Sequence, residues 1–409
     1  MNILHINQSD TVGGAGISGY RLHQGLLAQG INSRLLVGET KTDSDQVVSI
    51  PRKRGLEKQL FQVSSRLGFN YLNHISTFRI PQHPFYQSAD VLNFHNLHSH
   101  SGHFSYLGIP LLTEGKPAVF TLHDMWSFTG HCAYSYNCDR WKTGCGRCPY
   151  PDAYPAIRRD STHLEWKLKN WVYSRSNLTV VTPSRWLIEQ VKQSMLNRFP
   201  IHYIPHGIDT EAYQPLDSQQ CKFLLDIPTG KKVLMFGAES LKDFRKGGDL
   251  LLKALQNLPA SLKTETVLLT FGDYSEAMSK AVGIQTINLG YVSSDRLKSI
   301  AYSAADLFVF PSRADIFGLV LQESMACGTP LVAFKVGGVP DLVRPSITGY
   351  LAEPENAQDL CNGIVQLLED QSLRDRMSQE CRAIARQEYS LELQAQRYID
   401  LYTWVLENQ

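Results

Sequence analysis

Short apolar runs alternate with helix-patterned stretches from the first residue of this 409-residue chain, and no other feature restricts its fold as much. A strand covered on both faces reads as an unbroken apolar run. Strand, helix and strand in succession make a βαβ unit, whose strands are parallel. "NILHI" reads as the first strand and Ile17 to Gln29 as its helix, closed by Gly30. Further strands are expected at "SRLLVG", "DVLNFH", "PAVFTLH", "NLTVVTPS" and "HYIP". A second series starts at "KKVLMFG" and continues through "TVLLTFG", "IQTINLG", "DLFVFPS" and "PLVAF". The chain therefore reads as α/β, built from two doubly wound, Rossmann-like halves.

The two series are separated by "IPHGIDTEAYQPLDSQQ", a polar stretch with two prolines and a glycine. The boundary is placed there, giving a first domain over residues 1–205, a second over 206–388, and a final helix over 389–409. Two such domains facing each other would form a cleft lined by the C-terminal ends of their strands, where ligands of open α/β sheets bind.

Charge excludes one class of partner. Forty basic residues against 39 acidic ones leave a net charge of +1, so no polyanion footprint exists and nucleic acid is not expected as a partner. "MNILHINQSD" lacks the basic n-region and long apolar core of a signal peptide. No apolar stretch approaches the roughly 20 residues that span a bilayer. A cytoplasmic location is expected, with reduced cysteines.

The stretch "GLVLQESMACGTPLVAFKVGGVPDLV" (318–343) carries the chemistry. A helix from about Leu319 to Ala326 has the pattern of a buried element, yet holds one glutamate, Glu323. Asp315 lies eight residues earlier, in the loop after "DLFVFPS". A carboxylate there can accept two hydrogen bonds from a vicinal diol such as a ribose. Backbone N–H groups at the helix start suit a hydroxyl or phosphate, and glycines at 328, 337 and 338 allow close backbone approach. Each residue alone reads better as an ordinary helix or turn residue; their combination points to a ligand.

The segment "DIFGLVLQESMACGTPLVAFKVGGVPDLV" resembles the carboxylate-x7-Glu signature of the retaining glycosyltransferases of family 4, which have the two-domain GT-B fold. "VGGAGIS" (12–18) is similar to that family's N-terminal glycine loop, and "VTPSRWL" (181–187) and "IPHGID" (204–209) to its linker-proximal motifs. "FRKGGDLLLKAL" (244–255) resembles its Lys-Gly segment. Five motifs in family order span nearly the whole chain.

The resemblance implies that Glu323 holds the donor ribose. Asp315 and the backbone from Ile316 through Phe317 and Gly318 to Leu319 would face the transferred sugar. Lys246 would neutralise the donor diphosphate, and Gly14 and Gly16 would let the glycine loop approach donor and acceptor. Two positions depart from the family pattern. Asp315 stands where glutamate is usual, and Leu241 stands where an arginine commonly precedes the phosphate lysine, so Arg245 or Lys242 would supply the second cation. The family's retaining transfer proceeds through an oxocarbenium-like transition state, with charge on the leaving diphosphate stabilised electrostatically. No cofactor and no divalent metal is expected for catalysis.

His123 closes the strand "PAVFTLH" with Asp124 beside it, and resembles the family's histidine near the transferred sugar. A lone histidine also reads as a satisfied core residue. His95 and His98 follow another strand, and His95, Asp124 and Trp126 are candidates for contact with the acceptor.

"HCAYSYNCDRWKTGCGRCP", within a Cys-rich insertion over 123–150, places Cys132, Cys138, Cys145 and Cys148 within 17 residues. The two-residue gap of "CGRC" suits a tetrahedral zinc. Structural zinc, two disulfides and reduced packing cysteines are all compatible, with zinc ranked first. A similar insertion occurs in family members that build exopolysaccharides.

"PRKRGLEKQLFQVSSRLGF" sets Leu56, Leu60, Val63 and Leu67 on one helical face, among Arg52, Lys53, Arg54, Lys58 and Arg66. Such a helix, within 52–70, would rest on an anionic membrane at its inner face. An ordinary helix packed by that stripe on its own sheet is the favoured alternative.

The chain is expected to move a sugar from a nucleotide-sugar, UDP- or GDP-linked, to a saccharide or lipid-linked saccharide. An epimerase on the same scaffold and a non-catalytic nucleotide-sugar-binding module are the alternatives.

Overall fold

Every apolar run read as a strand is one. The computed structural model describes residues 1–52, 54–99, 102–240, 243–273 and 282–408, and among these thirteen strands form two all-parallel sheets. The first sheet has the order β3-β2-β1-β4-β5-β6-β7. Its strands are β1 (Asn2–Ser9), β2 (Asn32–Glu39), β3 (Val47–Ser49), β4 (Val91–Phe94), β5 (Ala118–Thr121), β6 (Thr179–Thr182) and β7 (Ile201–Tyr203). The second has the order β10-β9-β8-β11-β12-β13. It comprises β8 (Lys232–Ser240), β9 (Thr266–Asp273), β10 (Gln285–Asn288), β11 (Leu307–Phe310), β12 (Leu331–Phe334) and β13 (Gly349–Ala352). Both orders reverse direction once, between β1 and β4 and between β8 and β11. In open α/β sheets that reversal is where connections diverge and leave a crevice at the strand ends.

The chain divides into two compact units, Met1–Gly207 with Leu391–Gln409, and Ile208–Ser390. In the first, the final helix (Leu391–Glu407) packs Ala395, Tyr398, Leu401, Tyr402 and Val405 against Ile3, Val91, Val119 and Val181 of the sheet. A polar seam crosses this apolar contact. Tyr398 and Tyr402 are fully buried, and each hydroxyl has a partner. Asn93 donates to Tyr402 Oη (2.7 Å), Thr121 Oγ1 donates to Asn93 (2.9 Å), and Tyr398 Oη lies 2.9 Å from Thr121 Oγ1. Buried polar groups need such partners, so the seam ties the helix to one register on the sheet.

In the second unit the strand period of two sorts the core. Val233 and Met235 of β8 face one apolar cluster, with Phe308, Leu321 and Met325. Leu234 and Phe236 face the other, with Leu250, Leu251 and Ile364.

One expected packing is reversed. In the helix Arg54–Arg66, Glu57 and Ser65 are buried, whereas Leu56, Leu60 and Val63, and Leu67 just beyond it, are exposed, Val63 by 61%. Glu57 is drawn inward because Arg52 Nε donates to it at 3.0 Å and the Ser76 amide at 2.9 Å. The apolar stripe therefore faces away from the sheet, contrary to the packed-helix alternative. Lys53 lies outside the described residues. Among the described residues no helix is long and apolar enough to cross a membrane.

Candidate active site

In the second unit, three loops leave the C-terminal ends of β8, β11 and β12 at the reversal of strand order. Gly247 (φ +68°) and Gly337 (φ +49°) make their convergence possible. A Cβ on Gly247 would lie 1.9 Å from the Pro311 carbonyl oxygen, and one on Gly337 would lie 1.9 Å from that of Asp315. Only glycine fits at either place. The Arg313 amide donates to Arg245 O (2.8 Å) and the Gly338 amide to Asp315 O (3.1 Å), which pins the Asp315 loop on both sides.

This convergence sets two cations on one carboxylate. Lys246 Nζ lies 3.1 Å and Arg245 Nη1 3.3 Å from Asp315 Oδ2. Arg245 is shared with Asp243, 3.1 Å away. Burial opposes ionisation of Asp315, but Lys246 and Arg245 more than offset it and hold the carboxyl below its ordinary range. Burial, and then the Arg245 charge, lower the Lys246 ammonium, and Asp315 counters only part of that. Lys246 and Asp315 are thus brought together, with Asp315 acting as a counter-ion. Arg313 forms a two-pronged pair with Asp249 (2.8 and 2.7 Å) and lies 3.8 Å over the Phe244 ring, bracing the same loop. Leu241 and Lys242 lie outside the described residues.

Glu323 occupies the fifth position of the helix Leu319–Ala326 and is 2% exposed. Tyr302 Oη donates to its Oε2 at 3.2 Å. Ile316 and Phe317 are buried beneath the loop, and the Phe317 amide donates to Asp315 Oδ1 at 3.3 Å. Gly318 caps the helix with φ +91°.

In the first unit the corresponding reversal, between β1 and β4, is occupied by imidazoles. His5 lies on β1, His95 just beyond β4 and His123 just beyond β5. The strand registers set all three on one face of the sheet. His5 Nδ1 is 3.0 Å from His95 Nε2, and His95 Nδ1 is 2.9 Å from His123 Nε2. His123 Nδ1 is 3.2 Å from Ser18 Oγ of the first helix (Gly13–Ala28), and its ring stacks on His206 at 5.1 Å. Burial lowers all three histidines, His5 to about 3 and His123 to about 4, so the rings are neutral at pH 7.

The residues expected at the acceptor are gathered here, but inside the packing. His95 is 1% exposed, between two other rings; Trp126 is 2% exposed. Lys169 Nζ lies 3.7 Å over the Trp126 ring and donates to the Trp126 and Thr129 carbonyls. Asp124 accepts from His98 Nε2 (2.8 Å) and from the Trp126 amide (2.9 Å). His95, Asp124 and Trp126 are thus each buried and held by internal partners. Gly14 is exposed at the start of the first helix. Gly16 is buried, where a Cβ would stand 3.4 Å from the Ser9 and Asp10 carbonyls.

Cys132, Cys138, Cys145 and Cys148 are free thiols. Cys148 Sγ lies 3.2 Å from His131 Nε2, and Cys145 Sγ accepts from the Gly130 amide at 3.2 Å. Burial pushes Cys132 up to about 12 and Cys145 up to about 11. Among the described residues no group of three or more His, Cys, Asp or Glu is arranged to hold a metal ion. The zinc expectation therefore rests on spacing alone.

Asp243, Arg313, Tyr302, His5 and Ser18 went unmarked in the sequence. Ser18 closes the glycine-loop motif but carried no role there, the other four lie outside the motifs, and the partners of Arg313, Tyr302, His5 and Ser18 are distant along the chain. Tyr302 sits in a helix pattern and His5 in an apolar strand run, so only the fold connects them to the site.

Two family models match the chain, "Glycosyltransferase Family 4" over residues 12–212 and "Glycosyl transferases group 1" over residues 219–383. The "Putative colanic acid biosynthesis glycosyl transferase WcaC" of Escherichia coli (strain K12) is 28% identical, over 98% of this chain and 99% of that protein. Among solved structures, sucrose-phosphate synthase from Thermosynechococcus elongatus superposes with a TM-score of 0.73 at 17% identity, over the full length of both chains. Anabaena Alr3699/HepE, solved in complex with UDP and glucose, gives 0.69 at 17% identity over 98% of this chain and 99% of that one.

Proposed function

The chain belongs to the family-4 glycosyltransferases of the GT-B type, and from that premise we propose that it transfers a sugar from a nucleotide-sugar, with retention at the anomeric carbon, to a saccharide or lipid-linked saccharide in polysaccharide or glycoconjugate biosynthesis. The observation that carries the donor side is the pairing of Lys246 and Arg245 with Asp315 at the reversal of strand order, near a helix with a buried glutamate. The UDP in complex with the Anabaena protein supports a UDP-linked donor, and the colanic acid biosynthesis ascribed to the E. coli relative supports a polysaccharide product.

On this reading the diphosphate displaces Asp315 from Lys246 and Arg245. A point charge beside a planar, multi-donor guanidinium suits a leaving diphosphate whose charge grows in the transition state. Glu323, held by Tyr302, accepts the ribose hydroxyls, and the backbone from Ile316 to Leu319 faces the sugar. His123 and the Gly14–Gly16 segment serve the transfer from the first unit. The acceptor proton leaves with the diphosphate, so no protein base is needed.

The test is transfer of label from each of several UDP- and GDP-sugars to saccharide and lipid-linked acceptors, by wild type and Lys246→Ala. Labelled product from wild type alone supports the proposal. Epimer formed from donor alone would replace it with an epimerase, and binding without turnover on any acceptor would replace it with a binding module.

The outward stripe of Leu56, Leu60, Val63 and Leu67, with Lys58 and Arg66 exposed on the same helix, favours a second element of the proposal. The helix rests on an anionic membrane, where a lipid-linked acceptor would be found. Co-sedimentation with vesicles containing anionic lipid, against neutral vesicles, tests it.

A further inference from the structure

The line of rings in the first unit has a direction. Ser18 Oγ lies 3.4 Å from the Ala15 carbonyl, which can only accept, and with its proton turned that way it accepts from His123 Nδ1–H, leaving His123 Nε2 to accept. It accepts from His95 Nδ1–H, and His95 Nε2 in turn accepts from His5 Nδ1–H. The far end agrees independently. His5 Nε2 is buried and finds no hydrogen-bond partner among the described residues. A bare acceptor there costs less than an orphaned N–H, which folded proteins almost never tolerate. Reversing the chain would strand that N–H and, with the Ser18 proton on Ala15, set two acceptors against one another at Ser18.

We infer that His5 and His95 are positioning residues for the transfer reaction: their chain holds His123 in its Nδ1–H tautomer, hydrogen-bonded to Ser18 and thereby to the helix that carries the glycine loop. This rests on the transferase proposal for its functional meaning. With both ring nitrogens committed, His123 is no general base; it offers a fixed, neutral ring. The chain also fastens the first helix to the sheet at the reversal between β1 and β4. The other ionisable groups near His123 are Asp124, His98 and the stacked His206, with Arg21 of the first helix acting on His206.

The experiment combines 15N-histidine NMR with kinetics. In wild type between pH 6 and 8, His5, His95 and His123 are expected to show protonated Nδ1 and bare Nε2. His5→Leu removes the donor that sets the register, so His95 and His123 should show mixed tautomers. Transfer should then lose about 10- to 100-fold in kcat, the scale of a ~1 Å misplacement, with KM nearly unchanged. His5→Asn carries an amide donor close to the Nδ1 position and should restore both the spectrum and kcat. A wild-type His123 protonated on Nε2, or a spectrum unchanged in His5→Leu, would overturn the inference. Should His5→Leu not fold, the wild-type spectrum and His5→Asn still decide. The spectrum needs no substrate, so its outcome is separate from that of the transferase proposal.

Discussion

Lys246 Nζ lies 3.1 Å from Asp315 Oδ2, across a junction that joins the end of β8 to the end of β11. Arg245 reaches the same oxygen. The carboxylate pairs with the two cations that the proposed reaction requires for a diphosphate. Lys246→Ala should lower transfer by about 10²- to 10³-fold, as loss of one charge-stabilising donor does. Steady-state kinetics check it, and Lys246→Arg should keep part of the rate.

Asp315→Asn makes the opposite change. It leaves two neighbouring cations without their shared counter-charge and should lower unfolding stability by about 1–3 kcal/mol without ligand. UDP should bind at least as tightly as to wild type, because a competing carboxylate is gone, while turnover falls. Urea unfolding with and without UDP separates the two effects; weaker UDP binding would contradict the counter-ion role.

Tyr302 supplies a hydrogen bond to Glu323 from a neighbouring helix. Tyr302→Phe should cost about 1 kcal/mol of stability, the usual net worth of one such bond. A freer Glu323 should also weaken nucleotide binding by up to about tenfold, or about 1.4 kcal/mol. Calorimetric titration with UDP measures this.

Burial depresses several histidines: His5 to about 3, and His23, His74 and His123 each to about 4. Below pH 6.5 the unfolded chain takes up protons that these folded rings refuse, so stability is full above that value. It falls as the pH drops toward 4, by about 1.4 kcal/mol per pH unit for each ring. Urea unfolding at pH 7, 6 and 5 should show this decline, and His23→Gln should make it shallower. A flat profile would contradict the burial of these rings.

Val63→Glu and Leu60→Gln alter exposed positions. Each should change stability by no more than about 0.5 kcal/mol, yet each should weaken binding to anionic vesicles. Unchanged sedimentation with vesicles would remove the helix from the membrane proposal.

Apolar runs such as "KKVLMFG" and "DLFVFPS" announced their strands because a strand covered on both faces has no polar alternation to confuse it. The two strands that were missed, Val47–Ser49 and Gly349–Ala352, are edge strands of three and four residues, too short for periodicity to register. Asp315 and Glu323 were marked in the sequence by their spacing, and Lys246 by the family resemblance. The inward turn of Glu57 was not, because an amphipathic pattern tells which face is apolar but not which face a neighbour's amide will claim. His5 was invisible for a related reason. Its place beside His95 and His123 depends on the order β1-β4-β5, and nothing local in a strand declares its neighbours.

The most direct test is thermal unfolding of the wild type and of Glu323→Gln with UDP, GDP, ADP and their sugar conjugates. A ligand at 100 times its Kd adds about 2.7 kcal/mol to the folded state, which is readily seen as a rise in Tm. The expected result is stabilisation of the wild type by one nucleotide class, UDP foremost, that is much reduced in the variant. If no nucleotide stabilises the wild type, or if Glu323→Gln responds equally, the unit Ile208–Ser390 does not hold a nucleotide-sugar through Glu323.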